Sequence, residues 1–235
     1  MSKRESPIVR IASIKLENIT VRYPRNVEAL KLLSLVFEPG IYILVGPNGS
    51  GKTTLLDVVA GIRKPSVGRV VVNDTINLYG LDEETRASIR RETIAYMLQE
   101  DIFLDHLNVI ENLKFFFKTI DENEVMTLMK KLGVESLANR YPATLSGGEK
   151  RKISFIRTYL KAVNSSLILL DEPTSHIDAD SVNVIKDMIL KLWEYDKKKI
   201  IIIATHDLEL KSIAHILIEL RAGHLEKVEK IANTT

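Results

Sequence analysis

Apolar and polar positions alternate through SIKLENITVRY, residues 13–23, which predicts a strand, and LKLLSLVFE at 30–38 predicts a partner for it. Pro39 and Gly40 mark a turn. The pattern then changes, because IYILVG runs apolar without alternation, as a strand covered on both faces does. Residues 52–61 carry helical spacing closed by Gly61, and VGRVVVND reads as another strand running into a turn. DEETRASIRR reads as a polar helix and TIAYML as a short strand. Helical spacing then dominates from Asn108 to about Val163. Within that block NVIENLKFFFK opens on Asn108 with Glu111 three residues later, the pattern of a capping box. DENEVMTLMKKLG is a further helix with Gly133 as its stop. Strand 167–170, helix 179–194, strand 199–204, helix 207–213 and a hairpin over ILIELRAGHLEKV complete the pattern.

Buried strands alternate with helices at both ends, and a helical block lies between them. This predicts an α/β fold with a mostly parallel central sheet, an N-terminal antiparallel β subdomain and a helical insertion. The expectation is a single domain over 1–235, with its core at about 1–100 and 161–235 and the helical subdomain at about 101–160. Phe115, Phe116 and Phe117 cannot all face the core of one helix. One or two belong to the core, and the remainder is open to lining a groove for a partner.

Composition narrows the classes. With 45% hydrophobic and 27% charged residues the chain is ordinary globular material, not a disordered one. The 33 basic and 31 acidic residues nearly cancel, so no nucleic acid is expected as partner and no anionic membrane is demanded. No cysteine is present, which excludes disulfides and thiolate metal sites. The start, MSKRESPIVRIASIKL, is basic but lacks the apolar core of a signal peptide. The longest aliphatic runs, LILL at 167–170 and IIIIA at 200–204, fall far short of the ~18 residues of a membrane span. A soluble, intracellular chain is expected.

The chemistry starts at LVGPNGSGKTTLL, residues 44–56. Gly46, Pro47, Asn48, Gly49, Ser50, Gly51, Lys52 and Thr53 satisfy G-x-x-x-x-G-K-[ST], with a buried strand before and a helix after. Such glycines let successive N–H groups converge on phosphate oxygens, and the helix adds its positive N-terminal end. Lys52 would reach the outer phosphates and the Thr53 hydroxyl would ligate Mg²⁺, with Thr54 following in the same turn. This is the phosphate-binding loop of a P-loop NTPase. LILLDEP at 167–173 then delivers Asp171 and Glu172 to a strand end, where Asp171 would assist Mg²⁺ and Glu172 would act as base toward the attacking water. An N-capping acidic pair is the alternative for these two.

LSGGE at 145–149, placed 22 residues before LILLDEP, together with GPNGSGKT resembles the ATP-binding cassette (ABC) ATPases, over about residues 13–228. The resemblance implies ATP and Mg²⁺ as ligands and further roles. Tyr23 would stack on adenine, Gln99 in YMLQED would touch Mg²⁺ or the attacking water, and His206 in ATHDLE would hydrogen-bond the γ-phosphate. Leu145, Ser146, Gly147, Gly148 and Glu149, with Asp178 of the SHID segment, would complete the site of an opposite subunit in a homodimer or heterodimer. Glu149 replaces the more usual glutamine, and His176 stands where a small residue is common. Lys150, Arg151 and Lys152 could suggest nucleic acid, but at helical spacing they read as a solvated face whose charge favours a nearby phosphate.

The implied function is the ATP-hydrolysing subunit of a transporter, bound to an integral membrane partner at the cytoplasmic face of the membrane. DIFLDHLNVIENLKFF resembles the segment where such subunits dock a helix of that partner. The alternative is a soluble ABC ATPase of an assembly or remodelling machine, such as iron–sulfur cluster assembly, because SGGEKRK resembles theirs. ANRYPAT before the signature lacks the glycine-containing motif of exporters with a fused membrane domain.

Overall fold

The computed structural model describes residues 10–117, 120–207 and 209–231. Strand β1 (Ile14–Tyr23) pairs antiparallel with β2 (Val27–Phe37) on one edge and with β4 (Val67–Val72) on the other, and β5 (Ile76–Asn77) pairs with β4. The second sheet runs β10 (His224–Lys230), β9 (Ile216–Arg221), β3 (Gly40–Val45), β8 (Ile200–Ala204), β7 (Leu167–Asp171), β6 (Ile94–Met97). Its pairings are parallel except the terminal β9–β10 hairpin. The helices are α1 (Lys52–Val59), α2 (Glu83–Thr93), α3 (Val109–Phe115), α4 (Glu122–Lys131), α5 (Gly147–Ala162) and α6 (Ala179–Tyr195).

The unalternating strands are explained by what covers them. Ile41, Ile43, Ile168, Leu170, Ile201 and Ile203 pack on one face with residues of α3 to α6. Tyr42, Leu44, Leu167, Leu169, Ile200 and Ile202 pack on the other with α1 and the antiparallel sheet. Each such side chain contributes about 1.5–3 kcal/mol by leaving water, so neither face tolerates a polar position.

Helices α3, α4 and α5 all lie in the single crossover from β6 to its parallel neighbour β7. Asn108 and Glu111 form the expected capping box. The predicted helix over 207–213 is instead a five-residue 3₁₀ turn, Glu209–Ile213, with Leu208 outside the described residues. The Asp207 carboxylate accepts from the Glu209 N–H and from the Thr174 hydroxyl, which ties the turn down locally. The predicted strand at 199–204 starts one residue later. Lys199 turns inward and its ammonium donates to the Ala162, Val163 and Ser165 carbonyls at the C-terminal end of α5.

Register places the chemistry. Leu44 pairs with Ala204, Ala204 with Asp171, and Leu170 with Met97. Four parallel strands therefore end level. The residues that follow them emerge together at one edge of the sheet, where such sheets hold ligands.

Candidate active site

Between β3 and α1 the loop is shaped by glycines that other residues could not replace. Gly46 has φ +149° and a Cβ there would lie 2.1 Å from the Leu220 carbonyl oxygen; Gly51 has φ +104° and its Cβ would meet the Ala29 oxygen at 2.5 Å. Gly51 caps α1 without offering a side chain, so the first N–H groups of the helix keep no side-chain acceptor. The buried Lys52 ammonium is held over this concavity by the Gly46 and Pro47 oxygens, at 2.8 and 3.3 Å. Among the described residues, buried Ser50 Oγ has no hydrogen-bond partner. Unfilled donors, a cation and an unpaired hydroxyl in one turn suit a phosphate chain.

Asp171 ends β7 with only 1% of its surface exposed. Burial pushes its carboxyl up from the ordinary range, and among the described residues its Oδ2 has no hydrogen-bond partner. A buried carboxylate oxygen without a donor fits a cation. Thr53 Oγ1 lies 3.5 Å from Gln99 Oε1, and Thr53, Gln99 and Asp171 line one cavity of about 340 Å³ with Tyr23, Lys52 and Glu172. Among the described residues no cluster of three or more His, Asp or Glu could hold a metal unaided. A cation here needs oxygens from its ligand as well, which is how Mg²⁺ sits beside phosphates.

Glu172 takes the left-handed conformation, φ +51°, at a cost of roughly 1–2 kcal/mol for a residue with a Cβ. That turn aims its carboxylate across to β8. Oε2 lies 2.8 Å from His206 Nδ1 and 3.3 Å from the His206 N–H. The alternative reading of Asp171 and Glu172 as N-caps fails geometrically, since Asp178 caps α6. Tyr23 puts its hydroxyl 3.2 Å from Thr54 Oγ1. The Arg63 guanidinium lies 4.5 Å from the Tyr23 ring centroid. Tyr23 lines the cavity and Arg63 does not.

The signature segment lies apart from that cavity, whose lining includes none of Leu145, Ser146, Gly147, Gly148, Glu149 or Asp178. Ser146 and Glu149 form a capping box at the start of α5, and those hydrogen bonds hold the Glu149 carboxyl below its usual range. Gly147 is exposed, whereas a Cβ on Gly148 would meet the His176 oxygen at 2.6 Å. Lys152 pairs with Asp178 at 2.7 Å, an interaction that pulls the Asp178 carboxyl far down. The SHID turn and the start of α5 thus pack as one piece.

One residue was misread from the sequence. Arg151 is no part of a solvated face: it is 2% exposed. Its guanidinium donates to the carbonyls of Leu98, Gln99, Asp171 and Glu172 and to Asp101 Oδ1. Phe117 packs on the core while Phe115 and Phe116 are exposed. Phe116 and Phe117 line a groove of about 630 Å³ with Ile62, Ile102, Arg91 and Arg157. Arg157 donates to the Ile102 carbonyl and lies over the Phe103 and Phe116 rings. No described helix is long and apolar enough to cross a membrane.

The chain is similar to known proteins. The family model described as ABC transporter matches residues 30–175. The ABC transporter ATP-binding protein MJ0796 of Methanocaldococcus jannaschii is 31% identical over 232 residues, covering 93% of this chain and 97% of that protein. The lipoprotein-releasing system ATP-binding protein LolD of Buchnera aphidicola is 31% identical over 219 residues, 90% of this chain and 94% of its own. A solved dimeric MJ0796 in a post-hydrolysis state, bound to ADP and Pi, superposes with a TM-score of 0.82 at 28% identity, covering 94% of this chain and 99% of that one. The glycine-shaped loop, the acidic strand end and the separate helix capped by Ser146 thus have one explanation: the chain belongs to the ABC transporter family, among its ATP-binding, ATP-hydrolysing members.

Proposed function

We infer that this chain drives a transporter as a dimer, each copy hydrolysing ATP in the cavity beside its phosphate-binding loop, with a separate integral membrane protein as partner. The observation that carries the reading is the meeting of Lys52, Thr53, Asp171 and the Glu172–His206 pair at one sheet edge. The whole chain acts as one nucleotide-binding unit, with about 101–160 as its helical arm.

Residues 46–54 wrap the phosphates, and the N–H groups at the start of α1 with Lys52 bind their oxygens. Tyr23 stacks on adenine through the ring face that Arg63 leaves open. Thr53, Gln99 and Asp171 would hold Mg²⁺, which supplies charge neutralisation on the β- and γ-phosphate oxygens when bound. Glu172 accepts a proton from water as its oxygen bonds to the γ-phosphorus and the bond to the β-γ bridging oxygen breaks, releasing ADP and phosphate. His206 occupies Oε2, which leaves Oε1 for that proton. Leu145 to Glu149 and Asp178 face the nucleotide of the other copy, whether identical or related.

The groove beside Phe116 takes a cytoplasmic helix of the membrane partner, which would hold the chain at the cytoplasmic face. Its apolar floor and its cations, among them Arg157, held by the Ile102 carbonyl and neighbouring rings, and Arg91, held by the Ser88 hydroxyl with Glu92 at 3.6 Å, favour an amphipathic occupant. The relatives are named for transport, among them a lipoprotein-releasing system, which supports this reading over cluster assembly.

Glu172→Gln tests the chemistry. It should bind ATP and dimerise with it while turnover falls at least ~100-fold. Turnover at the wild-type rate would remove Glu172 as the base. The same variant, tagged and loaded with ATP in detergent-solubilised cells, should retain a multi-span membrane protein in stoichiometric amount. A soluble partner alone would move the chain to the assembly class.

A further inference from the structure

Strands β6 and β7 are parallel neighbours, and their last register pair is Met97 with Leu170. Beyond it the two chains part. One becomes the segment with Gln99, and the other carries Asp171 and Glu172. No ladder hydrogen bond ties these two exits to each other. The Arg151 guanidinium stands between them. Its Nη1 donates to the Leu98 and Gln99 oxygens at 2.9 and 3.1 Å and to Asp101 Oδ1 at 3.0 Å. Its Nε donates to the Glu172 oxygen at 3.0 Å and its Nη2 to the Asp171 oxygen. The Glu172 carbonyl also accepts from the Ser175 N–H at 3.1 Å, so the left-handed turn at Glu172 is pinned from two sides. A planar fork with five donors can span such a gap; an ammonium donating from one point cannot.

Nothing in the phosphate chemistry uses Arg151, and it does not line the nucleotide cavity. We propose that Arg151 is a positioning residue for hydrolysis: it locks the backbone from which Gln99 and Glu172 project, and it makes that lock depend on the seating of the signature helix that carries it. Ser146 and Gly147 begin the same helix, four or five residues away, so a shift of α5 pulls on both strand exits at once. The inference rests on Glu172 being the base.

The test uses full-length Arg151→Lys and Arg151→Met beside Glu172→Gln. ATP-binding stoichiometry, Kd, KM and kcat per ATP-binding site are measured for each. Arg151→Lys should bind one ATP per chain with Kd and KM within twofold of wild type, while kcat per site falls at least tenfold. Arg151→Met should fall further. Where Arg151→Met does not accumulate folded, Asp101→Ala takes its place; it removes one acceptor of five and should lower kcat less than Arg151→Lys does. A residue that merely held the fold would lower the fraction of binding-competent protein and leave kcat per competent site unchanged, which would overturn the proposal. Glu172→Gln separates the two levels. If it is inactive while Arg151→Lys turns over within twofold of wild type, the Arg151 role fails alone. If Glu172→Gln itself turns over normally, there is no base for Arg151 to position and both fail.

Discussion

Replacing Gly147 and Gly148 by alanine, one at a time, separates what the signature does inside this chain from what it does for another copy. Both lie in the first turn of α5. A Cβ on Gly148 would stand 2.6 Å from the His176 oxygen and 3.6 Å from its carbonyl carbon, and backbone cannot swing aside as a flexible side chain does. A Cβ on Gly147 would meet nothing within 4 Å. Gly147→Ala therefore has no steric cost and reduces the freedom of the unfolded chain, a gain of about 0.4–1 kcal/mol. For a domain of this size that raises Tm by about 1–4 °C. Gly148→Ala sets the same gain against an overpacking cost of about 1–3 kcal/mol, so its Tm should fall by a few degrees. Calorimetry reads these signs. ATP affinity of the monomer should be unchanged in Gly147→Ala, because the glycine lies outside the nucleotide cavity. On the proposed dimer its ATPase turnover should nevertheless fall at least ~10-fold, because the methyl group would then stand where a backbone N–H approaches the other copy's phosphate. Normal turnover in this stabilised variant would refute the approach in trans. A lowered Tm would refute the open space on which the comparison depends.

Three further outcomes follow from the side chains around the site. Lys199→Met leaves the Ala162, Val163 and Ser165 carbonyls without their shared cation and should cost about 2–4 kcal/mol in urea unfolding, with ATP affinity unchanged; a loss under about 0.5 kcal/mol would show that the C-terminal end of α5 is satisfied otherwise. His215 Nδ1 accepts the Ile41 N–H at 3.0 Å, and burial, with Lys197 nearby, holds its pKa below the ordinary histidine value. The unfolded chain therefore binds the proton first. Stability should decline as pH falls below about 6.5, by at most about 1.4 kcal/mol per pH unit from this group, and His215→Gln should remove that component; identical pH slopes for variant and wild type would sink the assignment. Arg63→Ala removes the cation behind Tyr23, a contact of about 0.5–1 kcal/mol, and should weaken ATP two- to fivefold by isothermal titration while leaving tripolyphosphate binding unchanged. An equal loss for both ligands would place Arg63 with the phosphates.

The placement of the glycine-rich loop and the acidic strand end was legible because each follows an aliphatic run that marks a buried strand, and what comes just past such a strand sits at the sheet edge. The order of the strands was not. Nothing local says that β8 lies between β3 and β7, and it is the β7–β8 pairing that brings His206 to Glu172. The left-handed turn at Glu172 also left no trace, since no glycine or asparagine advertises it. Arg151 is different, because its signal was present and overruled. Residues Arg151, Phe155, Thr158 and Ala162 are all buried, at spacings of four, three and four along α5. Extending the inward stripe back from Phe155 by one turn reaches Arg151, and by another three residues Gly148, whose missing Cβ admits the His176 carbonyl. Reading KRK as three like neighbours hid this, because consecutive helical residues point about 100° apart and only one of the three lies on the stripe. A charge on an inward stripe is a conflict between local pattern and fold. Such conflicts persist where the buried group has enough partners to hold it, and here those partners are backbone oxygens beside the candidate site, those of Leu98, Gln99, Asp171 and Glu172.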